Sequence, residues 1–162
     1  LKHDFPKLLA KEPGYREKAE RLAARVCNYS ELVAKNLDGT AHLRPGDGDV
    51  ITYHDACHLK RGCGVYQEPR QVLTDLVGAD IREMTDCDKC CGFGGSYSLK
   101  YPEISREVLH NKIENITASG AETVAVDCPG CRMQIEGGLE AAGTYLRVEH
   151  TASLVARVLR PR

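Results

Sequence analysis

The sequence predicts an α/β domain: a four-stranded, parallel, doubly wound sheet in the order 2-1-3-4, with a helical lead-in before it. Two observations lead there. Beyond residue 48, short β-branched runs alternate with helical segments bounded by Gly and Pro, the pattern of a parallel sheet covered on both faces. The length of 162 residues, with 42% hydrophobic and 28% charged side chains, suits one domain with its own core. Residues 1–48 are read as the lead-in and 49–162 as the α/β core of a single domain.

The elements follow in order. Residues 1–12 read as an irregular or short helical start. From Gly14 to about Leu37 an amphipathic helix is expected, because Leu22, Val26, Tyr29, Val33 and Leu37 recur at steps of three and four. Asp38-Gly39 would end it, and Pro45-Gly46-Asp47-Gly48 marks a loop. Val50–Tyr53 is the first strand. Pro69 opens a helix carrying Val72, Leu73 and Leu76, and Gly78 stops it. Residues 80–84 form the second strand, and Cys87–Ser98 is a loop rich in Gly and Cys. Pro102 opens a helix with Ile104, Val108, Leu109, Ile113 and Ile116 facing the core, closed by Gly120. Thr123–Val126 is the third strand. Pro129 starts a helix to about Ala142 with Ile135 and Leu139 inward. Tyr145–Val148 is the fourth strand, and Thr151 caps a last helix bearing Leu154, Val155 and Val158. Consecutive parallel strands imply right-handed crossovers.

Charge and hydropathy exclude several function classes. Lys and Arg nearly balance Asp and Glu, for a net charge of −1, so the chain lacks the basic field a nucleic-acid binder needs. No apolar run approaches the roughly 18–20 residues of a membrane-spanning helix. Gly92-Phe93-Gly94-Gly95 lacks the G-x-G-x-x-G spacing of a dinucleotide site, and no phosphate-binding P-loop is present.

Eight cysteines are the unusual feature. Adjacent Cys90-Cys91 and the Cys128-Pro129-Gly130-Cys131 pair fit metal or redox chemistry better than a secreted disulfide framework. On the expected topology Cys57 follows strand one, Cys87, Cys90 and Cys91 follow strand two, and Cys128 and Cys131 follow strand three. All then lie at the carboxyl rim of the sheet, where open parallel sheets bind ligands. Cys128 and Cys131 sit at a helix start, where unpaired N–H groups favour thiolate. Gly92, Gly94 and Gly95 allow tight bending, and their amides can donate to sulfur. Two other arrangements are open on spacing alone: a zinc site from Cys87, Cys90, Cys128 and Cys131, or thiol–disulfide exchange at Cys128 and Cys131. Cys27 and Cys63 read as bystanders, and Cys87 as a neighbour of the site. His54 and His58 flank Cys57 as loop-ordering groups or as donors behind the metal ligands. Asp55 reads as a cap for backbone amides. Lys60, Arg61, Lys89 and Arg132 read as surface charges or as countercharges to the site.

Thirty-two residues separate Cys57 from Cys90, and thirty-six separate Cys91 from Cys128. This order, with Tyr53–Leu59, Cys90–Gly95, Lys112–Ile116 and Cys128–Ile135 around it, resembles the CCG cysteine-rich domain. That domain is found in heterodisulfide reductase, in the iron–sulfur subunit of glycolate oxidase, and in lactate-utilisation iron–sulfur proteins. The resemblance implies a [4Fe–4S]-type cluster held by Cys57, Cys90, Cys91, Cys128 and Cys131. In the heterodisulfide reductase relatives the cluster is a non-cubane one using all five. His54, His58, Cys87, Gly92 and Gly94 would surround these ligands. The implied role is electron transfer in a multisubunit oxidoreductase of 2-hydroxy acids such as glycolate or lactate, beside a flavoprotein subunit, with disulfide reduction at the cluster or structural zinc as alternatives. The expected location is cytoplasmic, peripheral to a membrane through partners. Leu1–Pro6 resembles the segment that follows the first of two such modules, so a C-terminal module of a longer protein is expected.

Overall fold

A computed structural model describes residues 1–37 and 48–159. Four strands, β1 (Val50–His54), β2 (Asp80–Ile81), β3 (Thr123–Val126) and β4 (Arg147–His150), form one parallel sheet in the order β2-β1-β3-β4. This is the expected Rossmann-like order. Ile51 faces Thr123 and His54 faces Val126 across the central pair. Every residue of β3 is buried, as helices on both faces require.

The helices sort by face. On one side α6 (Pro102–Ala118), preceded by the short α5 (Ser96–Lys100), and α7 (Pro129–Ala141) pack on each other. They cover a core containing Ile113, Ile116, Val124, Val126, Ile135, Leu139 and Val148. On the other side lie α4 (Glu68–Gln71), its continuation as a π-helical turn (Val72–Val77), and α8 (Thr151–Leu159). They cover Ile51, Tyr53, Val72, Leu73, Ala125, Leu154 and Val155. Gly78, at φ 74°, stops the π turn in the left-handed region.

Several local expectations are corrected. The helix expected over 14–37 is two helices, α2 (Arg16–Arg25) and α3 (Tyr29–Ala34), after a short α1 (Asp4–Leu8). Val26 is extended, and Asn28 starts a new helix through a capping box: its side chain accepts from Ser30 N at 2.9 Å and its N–H donates to Glu31 at 2.7 Å. Leu22 and Tyr29, read as inward, are exposed. The expected helix end at Asp38-Gly39 and the loop positions Pro45–Asp47 lie outside the described residues.

The second strand stops at Ile81 because the Thr52 hydroxyl, not a ladder carbonyl, takes the Met84 N–H at 3.1 Å. The fourth strand begins at Arg147, two residues later than expected, and leaves Tyr145 93% exposed while Val148 fills the core opposite Val124. On α6, Ile104 is exposed, and Ser105 and Lys112 turn inward in its place. Finally, His150 rather than Thr151 caps α8: its Nδ1 accepts from Ala152 N at 3.1 Å. Ser30 Oγ donates to buried Asp127 at 2.7 Å and so ties α3 to the end of β3.

Candidate metal centre

The carboxyl rim is built by three segments. β1 ends at His54, and the chain turns through Cys57 into a π-helical turn, His58–Cys63. β3 ends at Val126, and Cys128 becomes the residue before α7, extended at φ −130°. Between them lies the double-cysteine loop. Asp55 N donates to Cys87 O at 3.0 Å, fastening that loop to the end of β1.

Two glycines set the loop against the helix. Gly92, at φ +87°, has its backbone so close to α6 that a Cβ would stand 2.5 Å from Ser105 O, and the Ser105 hydroxyl donates to Gly92 O at 2.8 Å. Gly130, in the first turn of α7, has no room for a Cβ because the Phe93 ring would meet it at 2.5 Å. The loop therefore lies flat on the start of α7. Cys91 turns inward at 2% exposure, while Cys90 faces solvent and its sulfur accepts from Gly92 N at 3.3 Å.

This packing brings Cys91, Cys131 and His54 together. All three are buried, and their donor atoms lie within 4.8 Å of one another, close enough to bind a metal ion. Among the described residues, neither buried ring nitrogen of His54 has a hydrogen-bond partner, an arrangement that ligands or a bound group would complete. The two thiols are shifted in opposite directions. Hydrogen bonding from Cys131 holds the Cys91 thiol far below its ordinary value against the opposing effect of burial, with help from His54 and the Phe93 amide. Cys131 is pushed the other way by Cys91, by burial and by Cys128 alongside. The opposed shifts favour a thiolate at Cys91 over one at Cys131.

The remaining sequence candidates are placed as follows. Cys128 is half-buried and packs at the edge of the same core, whereas Cys57 is exposed and, like Cys90, stands outside the compact group. His58 is exposed. Cys63 and Cys87 are half-buried, and Cys27 is exposed. Cys87 belongs to a different network: its thiol donates to Asp55 at 3.5 Å and accepts from Arg70 at 3.7 Å. Burial, then the Asp55 carboxylate, raises its pKa. Lys60 bridges Asp55 and Asp88 at 3.2 Å each, and Lys89 pairs with Asp86 at 2.7 Å, so these lysines already face carboxylates. Asp55 binds side chains rather than capping amides. Sequence reasoning did not single out Arg70 or the inward-facing Lys112. A helical lysine at the position of an apolar stripe was the available signal for Lys112.

A parallel α/β sheet whose rim gathers buried thiols and an imidazole within metal-binding distance defines a cysteine-rich domain with a candidate metal centre. The family model described as "Cysteine-rich domain" (CCG) matches residues 51–136, more than half of the chain, and the chain belongs to that family. Among similar proteins, lactate utilization protein A of Halalkalibacterium halodurans is 30% identical over 161 residues, covering 99% of this chain and 65% of the relative. Lactate utilization protein A of Bacillus thuringiensis is 30% identical over 157 residues, covering 94% and 64%. Lactate utilization protein A 1 of Bacillus cereus is 28% identical over 156 residues, with the same coverage of 94% and 64%. The chain thus spans slightly less than two thirds of the length of these relatives. Among the described residues, no helix is long and apolar enough to cross a membrane.

Proposed function

We propose that this chain is the iron–sulfur electron-transfer module of a multisubunit oxidoreductase of 2-hydroxy acids, lactate or glycolate, working beside a flavoprotein subunit. The observation that carries the reading is the meeting of Cys91, Cys131 and the unpartnered His54 at the rim of the sheet. The names of the relatives favour lactate over glycolate.

The residues present fit a [4Fe–4S]-type group. Cys91 offers a ready thiolate, and Cys128 and Cys131 sit at the start of α7, where helix N–H groups favour negative sulfur. Cys57 and Cys90, on the exposed side of the rim, complete a five-cysteine set. Bound there, the cluster supplies a one-electron site. The chain's part is to hold it, to shield it on the Phe93 side, and to leave the Cys57 and Cys90 side open to a partner. Cys87 is not a ligand in this reading, since it is kept as a thiol against Asp55.

His54 with Cys91, Cys128 and Cys131 would also suit a tetrahedral zinc ion, which is the second reading. Anaerobic purification and reconstitution with iron and sulfide separate the two. A cluster EPR signal, lost in Cys57→Ser and Cys91→Ser but kept in Cys87→Ser, supports the first. Stoichiometric zinc, with no iron uptake by folded protein and no effect of Cys57→Ser, supports the second.

A further inference from the structure

A lysine ammonium buried on α6 has no anionic partner among the carboxylates. Lys112 is 2% exposed, and its Nζ donates to Asp86 O at 2.6 Å and Cys87 O at 3.4 Å, with Met84 Sδ at 3.9 Å. Every one of these acceptors is neutral. The acidic side chains nearby face other cations: Asp86 pairs with Lys89, Asp88 with Lys60, and Asp55 with Arg70 and Lys60. Among the described residues, Lys112 makes no ion pair. Burying a lone ammonium costs several kcal/mol unless an anion stands close by.

Burial lowers the Lys112 pKa, and the groups whose negative charge acts against that are Cys87 first, then Cys91, then Asp86 and Asp88. Met84, which Lys112 touches, belongs to the same buried cluster as Cys91 and Cys131, so the ammonium lies against the core that holds the two buried thiols. The segment that Lys112 grips is also the one that presents the double cysteine. Asp86 stands at φ 56°, a left-handed conformation uncommon outside glycine, with its carbonyl turned onto Nζ.

We propose that Lys112 is the buried countercharge of the cysteine site, a positioning residue that favours the more negative, reduced state of the metal group held there. This rests on the iron–sulfur reading above. A thiolate-ligated cluster is anionic, and one added electron, supplied in a titration by dithionite, gives it one further negative charge. A fixed cation in a low-dielectric setting stabilises that state and raises the reduction potential. Lys60 and Lys89 at the rim reach solvent and are already paired with carboxylates, whereas Lys112 is neither exposed nor paired.

The test is a dithionite titration, followed by EPR, of the reconstituted full chain as wild type, Lys112→Gln and Lys112→Arg. Gln keeps a donor for the Asp86 carbonyl and removes the charge; Arg keeps the charge. The expected result is a reduction equilibrium at least tenfold less favourable in K112Q, about 59 mV for one electron, and within threefold of wild type in K112R. An unchanged potential in K112Q, or equal shifts in both variants, overturns the proposal. If K112Q and Lys112→Met both fail to fold, Lys112 is a structural clamp and the proposal falls. A wild-type chain that folds but takes up no cluster defeats the iron–sulfur reading itself. A wild-type cluster with an unmoved potential in K112Q defeats the lysine role alone.

Discussion

Asp55, two residues before Cys57, accepts from Arg70 Nη1 at 2.8 Å, and the carboxylate is almost wholly buried while the guanidinium is not. Arg70 is the hub of the rim on this side. It also pairs with Glu83, donates to Tyr66 O at 2.6 Å and lies 4.9 Å over the Tyr53 ring. Burial alone would raise the Asp55 pKa, but hydrogen bonds and charge from Arg70 and Lys60 outweigh it and hold the carboxyl below its ordinary value.

Arg70→Met leaves Asp55 with Lys60 as its one cation and the Cys87 thiol as a weak donor. The expected loss is about 2 kcal/mol, below the roughly 3–5 kcal/mol of a fully unpaired buried charge. The sign with pH follows from the depressed pKa. The stabilisation is fully present above the unfolded carboxylate value of about 3.9 and is lost as pH falls through the lower folded value. Urea unfolding of both proteins at neutral pH and again below pH ~4 checks this. A difference that stays constant across that window contradicts the assignment.

Gly92 is where the double-cysteine loop touches α6. Gly92→Ala forces a Cβ into the Ser105 carbonyl at a left-handed φ of +87°, and relief requires the loop to lift from the helix. The expected destabilisation is about 2–3 kcal/mol, combining backbone strain with the loss of the buried Ser105–Gly92 hydrogen bond. Gly95→Ala also sits at positive φ but meets nothing within 4 Å, so it should cost less. Equal unfolding midpoints for the two variants would show that the close approach does not matter.

The sheet order was legible because β1 and β3 are β-branched runs, each strand follows a glycine turn (Gly48, Gly78, Gly120 or Gly143), and the cysteines follow the first three strands. What the pattern hid depends on contacts distant in sequence. Ser105 and Lys112 took inward places on α6 that the apolar periodicity assigned to Ile104, because buried polar groups with partners look like surface residues in a sequence. The partnership of Asp55 with Arg70 spans fifteen residues and two elements, so no local pattern announces it. The break between α2 and α3 was different: Asn28 and Glu31 carry a readable capping signal, overridden by the longer apolar stripe. At the site, the sequence pointed to Cys91, Cys131 and His54 but not to the opposed pKa shifts of the two thiols.

The opposed shifts of these two thiols give the last prediction. The neighbouring Cys131 thiol is the largest single influence lowering the Cys91 pKa; His54 and the Phe93 amide add to it. In reduced, metal-free protein, one thiolate should therefore persist well below the ordinary thiol value of 9.0. Ultraviolet thiolate absorbance across a pH titration, with Cys91→Ala subtracted, isolates it. Cys131→Ala removes that thiol but leaves His54 and the amide, so the Cys91 midpoint should move upward toward, without reaching, that ordinary value. His54→Ala should move it in the same direction by a smaller amount, since the imidazole ranks behind the thiol as a source of stabilisation. A Cys91 midpoint unmoved in Cys131→Ala would mean that Cys131 does not lower the Cys91 pKa, and that the pocket is not organised around this pair.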